Sequence, residues 1–459
     1  MTEEEKIKVA KQKNVKIYPI YKMFSWDLLF YHSIVFLFMN QIKGLSASEI
    51  FIGDAFYLIF KLVFQPFVPM IVNIVGKRKG TIIGNIFASI SILYVILAGP
   101  SLTNYIISNM IMSIGYVFKG TCEATILDEC IESMEKKNSI FAKKDGRGSA
   151  YWYMFEAISS MSTGFLFVIN GYIPMYLCFI FCIIGTLISF KFEHYEVKLQ
   201  RKKEEYPIKT LTSKISLAKQ EYLFILKSKR LRALLMFSGL FYGMLYIRST
   251  ITSSILVDIE IPDKYFGIIS AVLTIFASIS TAKQHLFHRK LHNKVLTVFS
   301  LTYSISMILM GLTAIININY TLTLIIIFAM MIIQNIIKGP YYTLIKRYLN
   351  SFSNEHISVK IYSINGLVED LSGALLSLAL SALLNYTTTS YAVLFIGIIS
   401  LIVFINILDY MKTRLGLRPE EYRKEDIEFV PKFNEPEITN TVEITVGMDD
   451  EGETTMDIK

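Results

Sequence analysis

Residues 80–99 read GTIIGNIFASISILYVILAG, twenty consecutive positions without one charged side chain. At 1.5 Å per helical residue such a run is about 30 Å long, the thickness of a bilayer's hydrocarbon core. Runs such as ILYVIL at 92–97 and TLTLIIIFAM at 321–330 lack the short alternation of barrel strands, so helices are the expected spanning element. Working outward, comparable stretches recur at 20–40, 49–71, 103–127, 149–170, 172–191, 233–257, 264–282, 295–316, 320–345, 360–383 and 389–411. The pattern predicts an all-α membrane protein with twelve transmembrane helices.

Composition excludes other classes. Of the 459 residues, 53% are hydrophobic and 18% charged, and the mean hydropathy is +0.46. A soluble protein carries roughly 25% charged residues, so a cytosolic enzyme of one or two domains is ruled out. No phosphate-cradling loop ending in G-K-S/T occurs, and Gly146-Arg147-Gly148 lacks the strand and helix that such a loop needs. Neither zinc-protease nor serine-hydrolase signatures occur, so no enzyme activity, cofactor or ATP-driven step is expected. The four cysteines, Cys122, Cys130, Cys178 and Cys182, lie in or beside apolar segments without zinc spacing, and no metal is expected. The formal charge of +8 is spread over short loops, which argues for membrane topology and against a nucleic-acid partner.

Loop charge orients the chain. With both termini in the cytoplasm, 40 Lys or Arg residues fall on the inner side and two, Lys43 and Lys264, on the outer side. The basic stretch before the first span resembles a signal peptide, but its apolar run is too long and has no small-residue cleavage pattern. The expected organisation is a cytoplasmic segment at 1–19, a six-helix bundle at 20–191, a linker with a surface helix at 192–232, a second bundle at 233–411 and an acidic tail at 412–459. From Glu420 onward the tail has thirteen acidic and four basic residues and is expected to be mobile. The two halves echo each other: Phe118-Lys119-Gly120-Thr121 in span four matches Ile337-Lys338-Gly339-Pro340 in span ten, with STG at 162–164 and LSG at 371–373 in the spans that follow. This points to duplication and two pseudo-twofold bundles.

Across residues 17–412 the chain resembles major facilitator superfamily transporters. Their signature G-x-x-x-D-R/K-x-G-R/K-R/K aligns with Pro69–Arg78, where Gly76, Lys77 and Arg78 match while Pro69, Asn73 and Ile74 depart from it. Gly120, Thr121, Glu123, Ala124 and Asp128 fit a G-T-x-E-A-L-x-x-D pattern that is similar to the end of span four in a bacterial, efflux-like branch. The resemblance implies a cavity lined by spans one, four, seven and ten, and an inner gate at the Asn73, Gly76, Lys77 and Arg78 loop, altered by the lost Asp.

A charge inside hydrocarbon costs about 2.5–3.5 kcal/mol unless it faces protein or water. Within the spans stand Asp27, Lys61, Lys119, Glu123, Glu156, Arg248, Lys338, Glu369 and Asp370. Asp27, Glu123 and Glu156 are the proton-coupling candidates; Lys119 and Glu123, four residues apart on one helix, are placed to pair. Lys119, Tyr242, Tyr246, Arg248 and Lys338 are the candidate cavity contacts, and Lys61 is expected to pair with Glu369 or Asp370 across the bundles as a gate. Trp26 and Trp152 are expected as interface anchors, and Pro340 as a local kink. The leading expectation is a monomeric secondary transporter of a small solute, coupled to protons or sodium, exporting by antiport. The alternatives are proton-coupled uptake of an anionic metabolite and a transport-inactive membrane sensor or partner protein.

Overall fold

The computed structural model describes residues 3–131, 137–194, 223, 225, 227–291, 294–317, 319–351, 358–414, 444–448 and 454–458. The expected surface helix of the linker and most of the acidic tail lie outside the described residues. In chain order the helices are α1 (Glu3–Ser25), α2 (Val35–Leu37), α3 (Ala47–Phe64), α4 (Val68–Val75), α5 (Lys77–Leu97), α6 (Leu102–Ile131), α7 (Lys137–Ile169) and α8 (Ile173–Phe190). There follow α9 (Lys229–Asp258), α10 (Phe266–Ala282), α11 (Gln284–Leu291), α12 (Val295–Ile316), α13 (Tyr320–Ser351), α14 (Ser358–Leu384) and α15 (Thr389–Asp409). Within the tail, β1 (Ile444–Met448) pairs antiparallel with β2 (Thr454–Ile458).

The protein is an all-α, multi-pass membrane fold. Among the described residues nine helices are long and apolar enough to cross a bilayer, and they lie in α5, α7, α8, α9, α10, α12, α13, α14 and α15. Three of the expected spans miss that measure for identifiable reasons. The stretch expected as one helix at 20–40 is interrupted between Ser25 and Val35. The stretch at 49–71 yields α3, which carries Glu49, Asp54 and Lys61, and then breaks at Gln65–Phe67, where Pro66 removes a backbone donor. The span at 103–127 yields α6, a 30-residue helix about 45 Å long whose last turns carry Lys119, Glu123, Asp128 and Glu129. In α13 the helix continues through Pro340.

The packing pairs α5 with α6, α12 with α15, α3 with α14, α9 with α14 and α7 with α10. Small residues permit the close crossings. A Cβ on Gly164 of α7 would stand 2.5 Å from the Lys264 carbonyl, and one on Gly115 of α6 would stand 2.8 Å from the Gly84 carbonyl of α5. One end of the bundle, called here the near face, holds the start of α1 and the end of α8. There Ala10, Val15, Tyr18 and Tyr21 of α1 pack with Ile126, Leu127 and Ile131 of α6 and with Phe192, which is why α1 is helical from Glu3. At the opposite, far face, Ser46 and Glu49 form a capping box on α3. There too the Lys43 amine donates to the carbonyls of Ala98 at 2.6 Å and Ile96 at 3.2 Å, satisfying the open end of α5.

Candidate functional site

The interruption of the first helix organises the centre of the molecule. Asp27 turns its carboxylate back onto the Leu28 N–H at 2.8 Å, a local bond that competes with helix continuation. Phe30 follows with φ +63, left-handed and costly for an aromatic residue. Carbonyls freed at the break are taken up by side chains from other helices: Lys119 of α6 donates to the Ser25 carbonyl, and the Trp152 indole of α7 donates to the Asp27 carbonyl at 3.2 Å. Backbone of this kind is tolerated at membrane depth only where protein or a cavity satisfies it. Trp26 and Trp152, expected as interface anchors, meet edge to face beside the break, with ring centroids 4.9 Å apart.

Asp27 gathers two more partners there. His32 Nε2 lies 3.0 Å from its Oδ1, and the Tyr116 phenol of α6 donates to the same carboxylate. Asp27 and His32 keep 35% and 45% of their side-chain surface accessible. They are mid-span and yet reachable, as residues lining an internal cavity are. His32 shares a cavity of about 50 Å³ with Ser33, Arg248, Ser249, Thr252, Ser253 and Asn335, among others. Lys338 of α13 faces the charges of Arg248, Asp27 and Glu156. Thus Asp27, Glu156, Arg248 and Lys338, four of the residues singled out by sequence, converge with His32, which was not.

The other expected contacts fall elsewhere. Lys119 is turned to the end of α1 and over the Tyr116 ring at 4.9 Å, not to Glu123. Glu123 instead accepts from the Tyr21 phenol at 2.6 Å and the Ser25 hydroxyl at 3.0 Å, in a cluster closed by Asn85, whose amide donates to Tyr21 at 2.8 Å. The pairing of Lys119 with Glu123 allowed by their spacing is displaced because α1 ends against α6 and supplies both with closer partners. Tyr242 and Tyr246 stack at 6.5 Å, and the Tyr246 phenol donates to the Asp54 carbonyl at 2.9 Å.

Contacts between the two halves of the chain lie on both sides of this centre. Toward the near face, Lys61 of α3 bonds Asp370 of α14 at 2.8 Å, while the neighbouring Glu369 accepts from Ser238 at 2.9 Å and Asn365 at 2.7 Å. Toward the far face, Asp54 accepts from Tyr105 at 2.9 Å and from Thr250 of α9 at 2.7 Å, Ser48 meets Ser381 at 2.8 Å, and Gln41 donates to Asp263 at 3.0 Å. Asp54 had passed unnoticed although it is as exceptional within a span as Asp27. His32 was missed because an inventory of full charges overlooks a neutral imidazole. In the expected gate loop, Gly76 ends α4 at φ 86, Lys77 pairs with Glu129, and Arg78 donates to the carbonyls of Phe190, the last residue of α8, and of Phe192 just after it. The Asn73 side chain lies outside the described residues.

A multi-pass helical bundle whose central cavity is lined by charged and hydroxyl side chains defines a membrane transport protein and not an enzyme. The sequence profile of the Major Facilitator Superfamily matches residues 23–375, and the chain belongs to that family. No curated protein matches the chain. Among solved structures the fold is similar to the nucleoside transporter NupG, with 14% identity, TM-score 0.66, and 88% of this chain and 99% of that one covered. It is also similar to a D-xylose–proton symporter, with 10% identity, TM-score 0.64, and coverages of 86% and 96%. A POT family transporter in complex with 5-aminolevulinic acid matches with 13% identity, TM-score 0.61, and coverages of 88% and 95%. The expectations of an efflux-like branch, of export and of antiport are corrected by this comparison. The solved structures similar in fold are nucleoside, peptide and xylose transporters, one of them a proton symporter.

Proposed function

We propose that the chain is a proton-coupled symporter that takes up a small anionic solute by alternating access. The reading rests on one observation: the broken first helix brings Asp27, His32 and Tyr116 together, and His32 lines the cavity that Arg248 also lines. Interrupted helices are the usual place for coupling ions in secondary transporters, because freed backbone and side-chain groups meet there. Charge then links proton to solute. With His32 neutral, the Asp27–His32 pair is negative and repels an anion arriving at Arg248 and Lys338. With a proton on His32 the pair is neutral, and the two cations attract the anion unopposed. Proton and anion therefore load together and leave together.

In this reading α3, α6 and the broken first segment complete twelve crossings, arranged as two bundles over 20–191 and 233–411. Both termini are cytoplasmic, as the loop charge favours. The near face is then the inner side, and Lys61–Asp370 is a contact made and broken as that side closes and opens. The test is uptake of radiolabelled carboxylates and phosphates into proteoliposomes under an imposed inward pH gradient. Wild-type protein concentrates at least one anion. Asp27→Asn and His32→Gln keep exchange of that anion across the membrane but lose accumulation. Undiminished accumulation by both variants would remove the coupling role from this pair.

A further inference from the structure

Two oppositely charged side chains near the central cavity leave hydrogen-bonding capacity unused. Glu156 on α7 is 6% exposed; its Oε1 accepts from Ser160 at 3.0 Å, and its Oε2 is buried without a hydrogen-bond partner. On α9, the Nε of Arg248 is buried and unpartnered, and so is the hydroxyl of Thr252, which is 8% exposed and lines the same cavity as Arg248. Glu156 faces the charges of His32, Asp27 and Lys338. Lys338 in turn stands against the like charge of Arg248.

Each buried polar atom left unmatched is unfavourable, and the penalty is greater for charged groups. Two cations within electrostatic reach of each other, with an unmatched guanidinium nitrogen, call for an anion between them. A plain anion at that point would also confront the Glu156 carboxylate, which has an oxygen to spare. A ligand carrying a cationic donor as well would satisfy both sides at once. Glu156 belongs to the first half of the chain, and Arg248 and Lys338 to the second. A ligand with both charges would therefore hold the halves together from within.

We propose that the solute is a zwitterion, an amino-carboxylate or amino-phosphonate, whose anionic group lies between Arg248 and Lys338 and whose ammonium group donates to the free oxygen of Glu156. This deepens the anion reading above and rests on it. The Thr252 hydroxyl is placed to donate to the same anionic group as Arg248. Glu156 is then a specificity-determining contact, and proton carriage stays with Asp27 and His32.

Matched pairs of compounds test this on the purified full-length protein: glycine with acetate, β-alanine with propionate, ε-aminocaproate with caproate, and aminoethylphosphonate with ethylphosphonate. The readout is the rise in Tm as each compound is titrated. At least one amino compound is expected to act at a concentration about tenfold or more below that of its partner, the scale of one buried charge-assisted hydrogen bond. Glu156→Gln should bring the members of that pair together, and Thr252→Ala should weaken both alike. Equal action of both members of every pair on wild-type protein overturns the zwitterion and leaves the anion reading standing. A preference that survives in Glu156→Gln assigns the ammonium to another group and also overturns it. If no compound of either kind shifts Tm, the anion reading falls with it.

Discussion

At the scale of single residues, neighbours decide what a carboxylate in a span does. Glu123 is closed into hydroxyl contacts with Tyr21 and Ser25, Asp54 ties Tyr105 to Thr250, and Asp27 stays accessible beside His32. The sequence reading treated Asp27 and Glu123 alike because each is an acid in a span expected to line the cavity. Only partners distinguish them, and partners come from other helices. Gly76, a residue of the gate-loop motif, has its backbone at φ 86 and ψ 154. That backbone region is nearly closed to residues with a Cβ. Gly76→Ala is expected to cost about 1–3 kcal/mol and to lower the half-inactivation temperature in detergent. A variant as heat-resistant as wild type would mean that the turn is not fixed by this conformation.

At the scale of elements, the stretch expected as a first spanning helix takes another form, interrupted between Ser25 and Val35. Its apolar residues from Leu28 to Phe38 carry the membrane signal, while the break depends on Lys119 and Trp152, remote in sequence, accepting the duty of intrahelical donors. Periodicity reports which face is apolar and is blind to such substitutions. The pairing of α3 with α14 was the opposite case: Lys61 and the Glu369–Asp370 pair are matched in depth when counted along their helices, and the structure joins Lys61 to Asp370 at 2.8 Å. Asp370 is nearly buried at 3% side-chain exposure and Lys61 is not, at 30%, so desolvation offsets much of the attraction. The expected use of the pair is to select a state. In a double-mutant cycle of Lys61→Met and Asp370→Asn, read as accessibility of a near-face cysteine, the coupling should be about 0.5–3 kcal/mol. Additive effects would show that the two act independently.

At the scale of the molecule, orientation follows from loop charge and is open to direct measurement. Tyr386, 89% exposed between α14 and α15, belongs to the far face, and Lys283, between α10 and α11, to the near face. With far side outside, Tyr386→Cys should react with an impermeant thiol reagent in intact cells, and Lys283→Cys only after permeabilisation. The reverse pattern would invert the protein and exchange the sides of both sets of interhalf contacts. The crossings of α7 with α10, where Gly164 approaches the Lys264 carbonyl and Gly267 the Ser160 carbonyl, show how closely the halves meet toward the far face. Toward the near face the halves meet at the Lys61–Asp370 pair.

Amino-acid order by itself determined that this is a helical, multi-pass membrane protein, because the cost of exposing polar backbone to hydrocarbon writes long apolar runs directly into the chain. It also determined which charges were exceptional, since each Lys, Arg, Asp or Glu within such a run is costly and needs a compensating environment. Tertiary structure alone decided how those charges are grouped. Lys119 and Glu123 share a helix face yet take partners from α1, while Asp27, His32, Glu156, Arg248 and Lys338 come from distant stretches into electrostatic reach of one another. Hydrophobicity is a property of each segment and can be read locally. Electrostatic partnership depends on distances of a few ångströms between segments, and those exist only once the helices have packed.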